Sequence, residues 1–319
     1  MKIGLVLAVY GHLPFDSALR KAAELGYEAI EVGVERQGGQ VDLDEVLKGH
    51  NARQLRQKVA SYGLTISALG NHAEGQLVLG PHHSDTDMIF EGTPEDKVRY
   101  GVERMKLTAR AAAELDVPVV TGFCGCDDYS RWFPWPDEHA WEKMADTFVE
   151  RWSNILDTFA ECGVKFAHEC HPKQYAYNIE TAELTVKLLD GRPEWGFNLD
   201  PANLMLAGVD PVVFVQTLGD RILHVHAKDG ELVAHNIRRS GLLAHGDWGR
   251  IDRGFRFRIP GWGDIPWRKL LTELRLVGYD YVLAVEHEDP TMSREDGVTK
   301  ALDYLKPLII HEPFEGRWW

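Results

Sequence analysis

An alternation constrains this chain more than any single motif. Short apolar runs recur eight times from end to end, each followed by a longer amphipathic stretch. The runs are residues 2–9 (KIGLVLAV), 28–33 (EAIEVG), 64–70 (LTISALG), 117–123 (VPVVTGF), 164–169 (VKFAHE), 195–200 (WGFNLD), 222–227 (ILHVHA) and 281–286 (YVLAVE). Most are continuously apolar, as parallel strands covered on both faces must be. Helices are expected over 16–25, 45–62, 94–115, 138–162, 180–190, 210–218, 265–277 and 293–310, the first with Asp16 as N-cap and Gly26 as stop signal. Eight strand–helix units predict a closed α/β barrel, (β/α)8, rather than a doubly wound open sheet. No linker, charge block or low-complexity segment divides residues 1–319, so one domain is expected.

Charge and cysteine content narrow the function. The chain carries 35 Lys+Arg against 49 Asp+Glu, a net charge of −14, which repels phosphate backbones and argues against nucleic acid as a partner. The opening MKIGLVLAVYG has a short apolar run, a single Lys and no small-residue cleavage pattern after it, so a buried strand is expected there rather than a signal peptide. No stretch approaches the roughly 18 apolar residues that a membrane span needs. Cys124, Cys126, Cys162 and Cys170 are too few for a disulfide framework in 319 residues; free thiols suit a reducing compartment, and a cytoplasmic location is expected. The CxC of Cys124 and Cys126 reads as a pair of small buried thiols. The tail FEGRWW ends in two Trp that need a cover, which suggests a homo-oligomer contact.

Three connections are long: 71–93 after the third strand, 124–137 after the fourth and 228–264 after the seventh. All three belong to the C-terminal face, where barrels of this kind build their sites. The second (CGCDDYSRWFPWPD) and third are rich in aromatic, Arg and Gly residues, and ten Trp in the chain suit a carbohydrate site. Trp132, Phe133 and Trp135, with part of 236–262, are expected to wall a substrate pocket.

Successive strands in the second half each end in groups that bind metals. FAHECHP supplies Glu169 flanked by His168 and His171; NLDPANL supplies Asp200; HVHAKD supplies His224 and His226; AVEHEDP supplies Glu286 with His287 and Glu288 beyond it. Consecutive strand ends in a closed barrel form an arc around one point. Two Glu, one Asp and one His there make a mixed oxygen/nitrogen site open to Mn²⁺, Co²⁺, Mg²⁺, Fe²⁺ or Zn²⁺. A lone acid at a strand end is more often a helix cap, but four on adjacent apolar strands would be costly to bury uncompensated.

These four motifs resemble the metal-binding strand ends of the sugar isomerase/epimerase family with the xylose-isomerase-like barrel, and the eight-strand layout extends the resemblance over the whole chain. The resemblance implies one divalent metal, Mn²⁺ favoured, on Glu169, Asp200, His226 and Glu286. It also implies that Glu169 and Glu286 shuttle protons from opposite faces of a sugar or polyol. Many relatives carry His where this chain has Asn203, which argues against a three-metal nuclease site and leaves Asn203 for a sugar hydroxyl. His72, His168, His171, His224, Trp132, Trp135 and Arg239 complete the expected substrate contacts, with His12, Lys228 and Arg238 as weaker candidates. Two readings compete with an isomerase or epimerase: a lyase that eliminates the aglycone of 3-keto-glycosides, and a non-catalytic subunit. No GxGxxG follows the first strand, and GxSxG and Walker motifs are absent, which leaves nicotinamide, serine-hydrolase and nucleotide chemistry unsupported.

Overall fold

The computed structural model describes residues 1–127, 137–312 and 316–317. Its parallel strands are β1 (Lys2–Val6), β2 (Ala29–Gly33), β3 (Thr65–Gly70), β4 (Val119–Gly122), β5 (Lys165–Glu169), β6 (Trp195–Leu199), β7 (Ile222–Ala227) and, after a two-stranded insertion, β10 (Val282–Val285). They close in the order β1-β10-β7-β6-β5-β4-β3-β2. Helices between them cover the outside, giving a (β/α)8 barrel. The first strand is shorter than expected. After Val6 the chain tightens into a 3₁₀ turn, Leu7–Tyr10, whose Tyr10 hydroxyl reaches Glu295 at 3.0 Å.

Local chemistry explains where helices depart from expectation. The first begins at Phe15 behind Pro14, with Asp16 inside its first turn and no side-chain cap; it stops at Gly26, whose φ of 96° suits glycine. The expected 45–62 helix is two, Leu43–Val46 and Asn51–Ser61, separated where Gly49 takes a φ of 54°. The 138–162 helix is likewise divided into Ala140–Lys143 and Ala145–Cys162.

Period-two alternation sorts β5 between two environments. Phe166 and His168 face outward, Phe166 onto the helix Ala145–Cys162, where Trp152 lies 4.5 Å from Phe166 and 5.3 Å from Trp195, centroid to centroid. Glu169 takes the inward side. Trp152, Trp195 and Trp267 are fully buried, so part of the tryptophan content is core packing rather than carbohydrate platform.

The 228–264 connection is a structured insertion. It holds the antiparallel ribbon β8 (Asp229–Leu232) with β9 (Phe255–Arg258) and the helix Ala234–Ser240. Asp229 pins it to the barrel, accepting from the backbone N–H of Gly261 and Ile265 and from Trp267 Nε1 at 2.9–3.0 Å. A side chain at Gly263 would sit 2.3 Å from Asp229 Oδ1, so this approach needs glycine. Among the described residues no helix is long and apolar enough to cross a membrane.

Candidate metal centre

Four strand ends deliver four side chains to one point at the barrel mouth. Glu169 ends β5, Asp200 follows β6, His226 lies near the end of β7 and Glu286 follows β10. His226 Nδ1 stands 3.0 Å from Glu169 Oε2 and 3.1 Å from Glu286 Oε2. Asp200, His226 and Glu286 each offer a ligand atom within 4.8 Å of the others, as do His72, Glu169 and His226. Glu169, Asp200 and His226 are buried, whereas Glu286 keeps 22% of its side chain exposed and so faces the opening.

Neighbouring donors hold these groups in place. Asp200 divides its labour: Oδ1 caps the helix Pro201–Leu206 through the N–H groups of Ala202 and Asn203 at 2.9 and 3.0 Å, leaving Oδ2 for the site. Asn203 donates its amide to Glu169 Oε1 at 2.7 Å and to Asp200 Oδ2 at 2.9 Å. Asn198 donates to Glu169 Oε2 at 2.8 Å. His226 Nε2 meets Glu31 Oε2 at 2.9 Å, and Glu31 Oε1 accepts from Thr121 Oγ1 at 2.8 Å.

Glu31 was missed in the sequence reading. Its signal is a lone acid inside the apolar run AIEVG, and it is only 2% exposed. Such a residue must have a partner. A carboxylate on the far nitrogen of a metal-facing His orients the ring and raises its basicity.

Electrostatics favour a cation here. Burial opposes charge on Glu31, yet His226 brings its carboxyl down to about 2. Burial likewise opposes charge on Glu286, and Lys228 with His226 brings it to about 2. Glu169 is held well below the usual range against its own burial, chiefly by His226. Asp200 is pushed up to about 7 by burial and by Glu169 and Glu286, despite Lys228. Buried polar atoms without hydrogen-bond partners include His226 Nδ1, Glu286 Oε2 and Asn203 Oδ1. Without an ion, the protonated His226 ring is the positive centre that Glu31, Glu169 and Glu286 share; with Nε2 turned to Glu31, a divalent ion would take the place of the Nδ1 proton between the two carboxylates. The donor set fits a divalent ion.

The remaining expected residues divide. His72 faces the site, with Nε2 3.3 Å from Glu169 Oε2 and its backbone N–H given to Glu35 Oε1 at 2.9 Å. His171 is half-buried beside Phe123, at 5.3 Å between ring centroids. His12 lines a cavity of about 760 Å³ that runs from Glu286 past Tyr10 and Met292.

Three expected substrate contacts are placed apart from the four gathered side chains. His168 points away from the mouth, fully buried, its Nε2 2.8 Å from the Ala176 carbonyl and its ring stacked on Trp195. Burial brings its pKa down to about 4, so it is neutral. His224 shares the inward side with His226 but lies fully buried between Asn198 Oδ1 and Ser67 Oγ, each 3.2 Å away. Arg239 is on the surface, 77% exposed and 3.7 Å from Asp252.

Trp132, Phe133 and Trp135, like Trp318 and Trp319, lie outside the described residues. Cys124 and Cys126 are buried, with Cys124 Sγ 3.8 Å from His168 Nε2. Lys228, expected as a weaker candidate for substrate contact, is buried rather than on the surface. It is 3% exposed and lies 2.9 Å from Asp200 Oδ2.

The family model of the xylose isomerase-like TIM barrel matches residues 19–308. The chain belongs to that family. The YfiH protein of Bacillus subtilis strain 168 is 30% identical over 97% of this chain and 99% of its own length. The inosose dehydratase of Geobacillus kaustophilus strain HTA426 is 24% identical over 94% of this chain and 89% of its own. A crystal structure of the IOLI protein with a zinc atom bound superposes with a TM-score of 0.64 at 18% identity, covering 97% of this chain and 98% of that one. The matches thus include an inosose dehydratase and a structural neighbour that holds a zinc atom.

Proposed function

We propose that this chain is a divalent-metal-dependent isomerase or epimerase that acts on a ketose, inosose or other keto-sugar by moving the proton on the carbon next to the carbonyl. The observation that carries this reading is the meeting of Glu169 and Glu286 at His226 Nδ1, from strands that β6 and β7 separate. Glu169, Asp200, His226 and Glu286 would hold the ion, with Mn²⁺ our first choice for so carboxylate-rich a set. When bound, the ion supplies Lewis acidity that makes the neighbouring C–H bond easier to break.

The chain's own residues do the rest. Glu169 and Glu286 are both kept ionised at neutral pH, so each is able to accept a proton. Carboxylates on different sides of one carbon let one remove the proton and the other return it with inversion. His72, beside Glu169, and Asn203, whose Oδ1 has no hydrogen-bond partner, would orient hydroxyls of the sugar.

A second reading, elimination of a leaving group after the same proton abstraction, draws support from the 760 Å³ cavity beside Glu286, which has room for more than one sugar ring, and from the similarity to a dehydratase. Both readings are tested together by incubating the Mn²⁺-supplemented protein in D₂O with ketoses, inososes and 3-keto-glycosides. Proton NMR would show deuterium next to the carbonyl in an epimerised product, or a released aglycone or water with a new double bond. Turnover with the original hydrogen fully retained in the product would overturn the assignment of the two glutamates as base and acid.

A further inference from the structure

We infer that Lys228 is a built-in counter-ion that tunes how tightly this chain binds its metal, and that Glu288 is the anchor holding its ammonium to one side of the metal's oxygens. The inference rests on the metal reading above and concerns a residue outside the ligand set.

Lys228 Nζ lies 2.9 Å from Asp200 Oδ2, 2.9 Å from Glu286 Oε2 and 3.0 Å from Glu288 Oε2. The contact with Glu288 is a hydrogen bond, whereas Glu286 Oε2 has no hydrogen-bond partner. The side chain is only 3% exposed, and its ammonium also stands 4.7 Å from the centre of the Phe257 ring, contributed by β9. Lys228 therefore makes its directed contacts away from the ligands, with Glu288 and the Phe257 face. Its charge nonetheless falls on two oxygens that a divalent ion would use.

Two consequences follow from Coulomb's law at these separations. A fixed positive charge next to Asp200 and Glu286 stabilises those carboxylates without metal and repels an incoming dication, so it weakens metal binding. Glu288 acts in the opposite sense. Without its carboxylate the ammonium turns wholly to Asp200 and Glu286 and competes harder for them. A purely structural role would make both substitutions weaken the metal site by disordering it. The counter-ion role gives effects of opposite sign.

The experiment compares wild type, Lys228→Met, Glu288→Gln and the double variant, each stripped with chelator and titrated with Mn²⁺ alone by calorimetry, with thermal melts in parallel. Lys228→Met should bind Mn²⁺ about tenfold more tightly than wild type or better, and melt at a lower temperature in chelator. Glu288→Gln should bind about threefold to tenfold more weakly. The double variant should match Lys228→Met, because Glu288 acts through Lys228.

Equal or weaker Mn²⁺ binding by a natively folded Lys228→Met would overturn the inference. So would a Glu288→Gln effect that persists in the Lys228→Met background. Should Lys228→Met fail to fold, Glu288→Gln decides: Glu288 is half exposed and its loss is tolerable, and unchanged affinity there overturns the proposal. Failure of wild type and every variant to take up Mn²⁺ at millimolar concentration would bring down the metal reading and this one together. Normal binding by wild type with no gain in Lys228→Met removes this one alone.

Discussion

Glu74 and Glu286 are the same residue type near strand ends on opposite halves of one barrel, and they are used in opposite ways. Glu74 is 1% exposed and saturated with protein donors. Its Oε1 accepts from the Arg36 N–H at 3.0 Å and the Tyr100 hydroxyl at 2.8 Å, and its Oε2 from Asn71 Nδ2 at 2.9 Å and Arg104 Nε at 2.7 Å. Glu286 keeps an oxygen with no hydrogen-bond partner and lines a cavity. The first half of the barrel, with Glu31, Glu35 and Glu74, supports the site. The second half presents it. A buried carboxylate thus reads as scaffold when every lone pair is met, and as chemistry when one is left over beside other such atoms.

The sharpest test of this contrast exchanges the two glutamates for glutamine. Glu74→Gln should lower stability by about 3–5 kcal/mol in denaturant melts, because the buried Arg104 loses its buried charge partner and keeps only the half-exposed Asp44 at 3.8 Å. Glu286→Gln and Glu169→Gln should leave the fold intact while turnover drops on the order of a hundredfold or more. Equal stability losses for Glu74→Gln and Glu286→Gln would erase the distinction.

Metal removal probes the presenting half as a whole. Restoring Mn²⁺ at 100 times its Kd to chelated protein should raise stability by about 2.7 kcal/mol, and Glu169→Gln should lose much of that gain. An unchanged melting curve would break the comparison from the other side.

Glu31 belongs to the supporting half and acts across the barrel on His226. Glu31→Gln should weaken Mn²⁺ binding by about 10–100-fold, measured by calorimetry, with a smaller loss of stability. The smallest effect is expected at the surface. Arg239→Ala should leave melting temperature and kcat/KM unchanged within error, since its side chain is 77% exposed and its guanidinium stands 3.7 Å from Asp252.

Much of the presenting half was legible because barrel topology converts sequence position into place. Glu169, Asp200, His226 and Glu286 each end or follow an apolar run, so a closed sheet must gather them at one rim. The supporting half was less legible. Glu31 pairs with His226, 195 positions later, across the barrel, and no spacing rule connects them. His168 was misplaced because FAHECHP offers several candidate ligands in a row, while pleating turns adjacent side chains to opposite faces; packing on Trp195 decided which faced in. The 228–264 stretch read as one loop, and its fold into a pinned ribbon and a helix, with Arg239 exposed on that helix, was not legible from composition.

Hydrophobic periodicity alone determined the eight-unit barrel and the rim on which its acids lie, because an apolar run covered on both faces has few other ways to be buried. Tertiary structure alone decided which lone pairs remained unsatisfied. That depends on donors such as Arg104, Asn198 and Lys228 arriving from distant strands and helices, and their reach is a matter of ångströms rather than of sequence order.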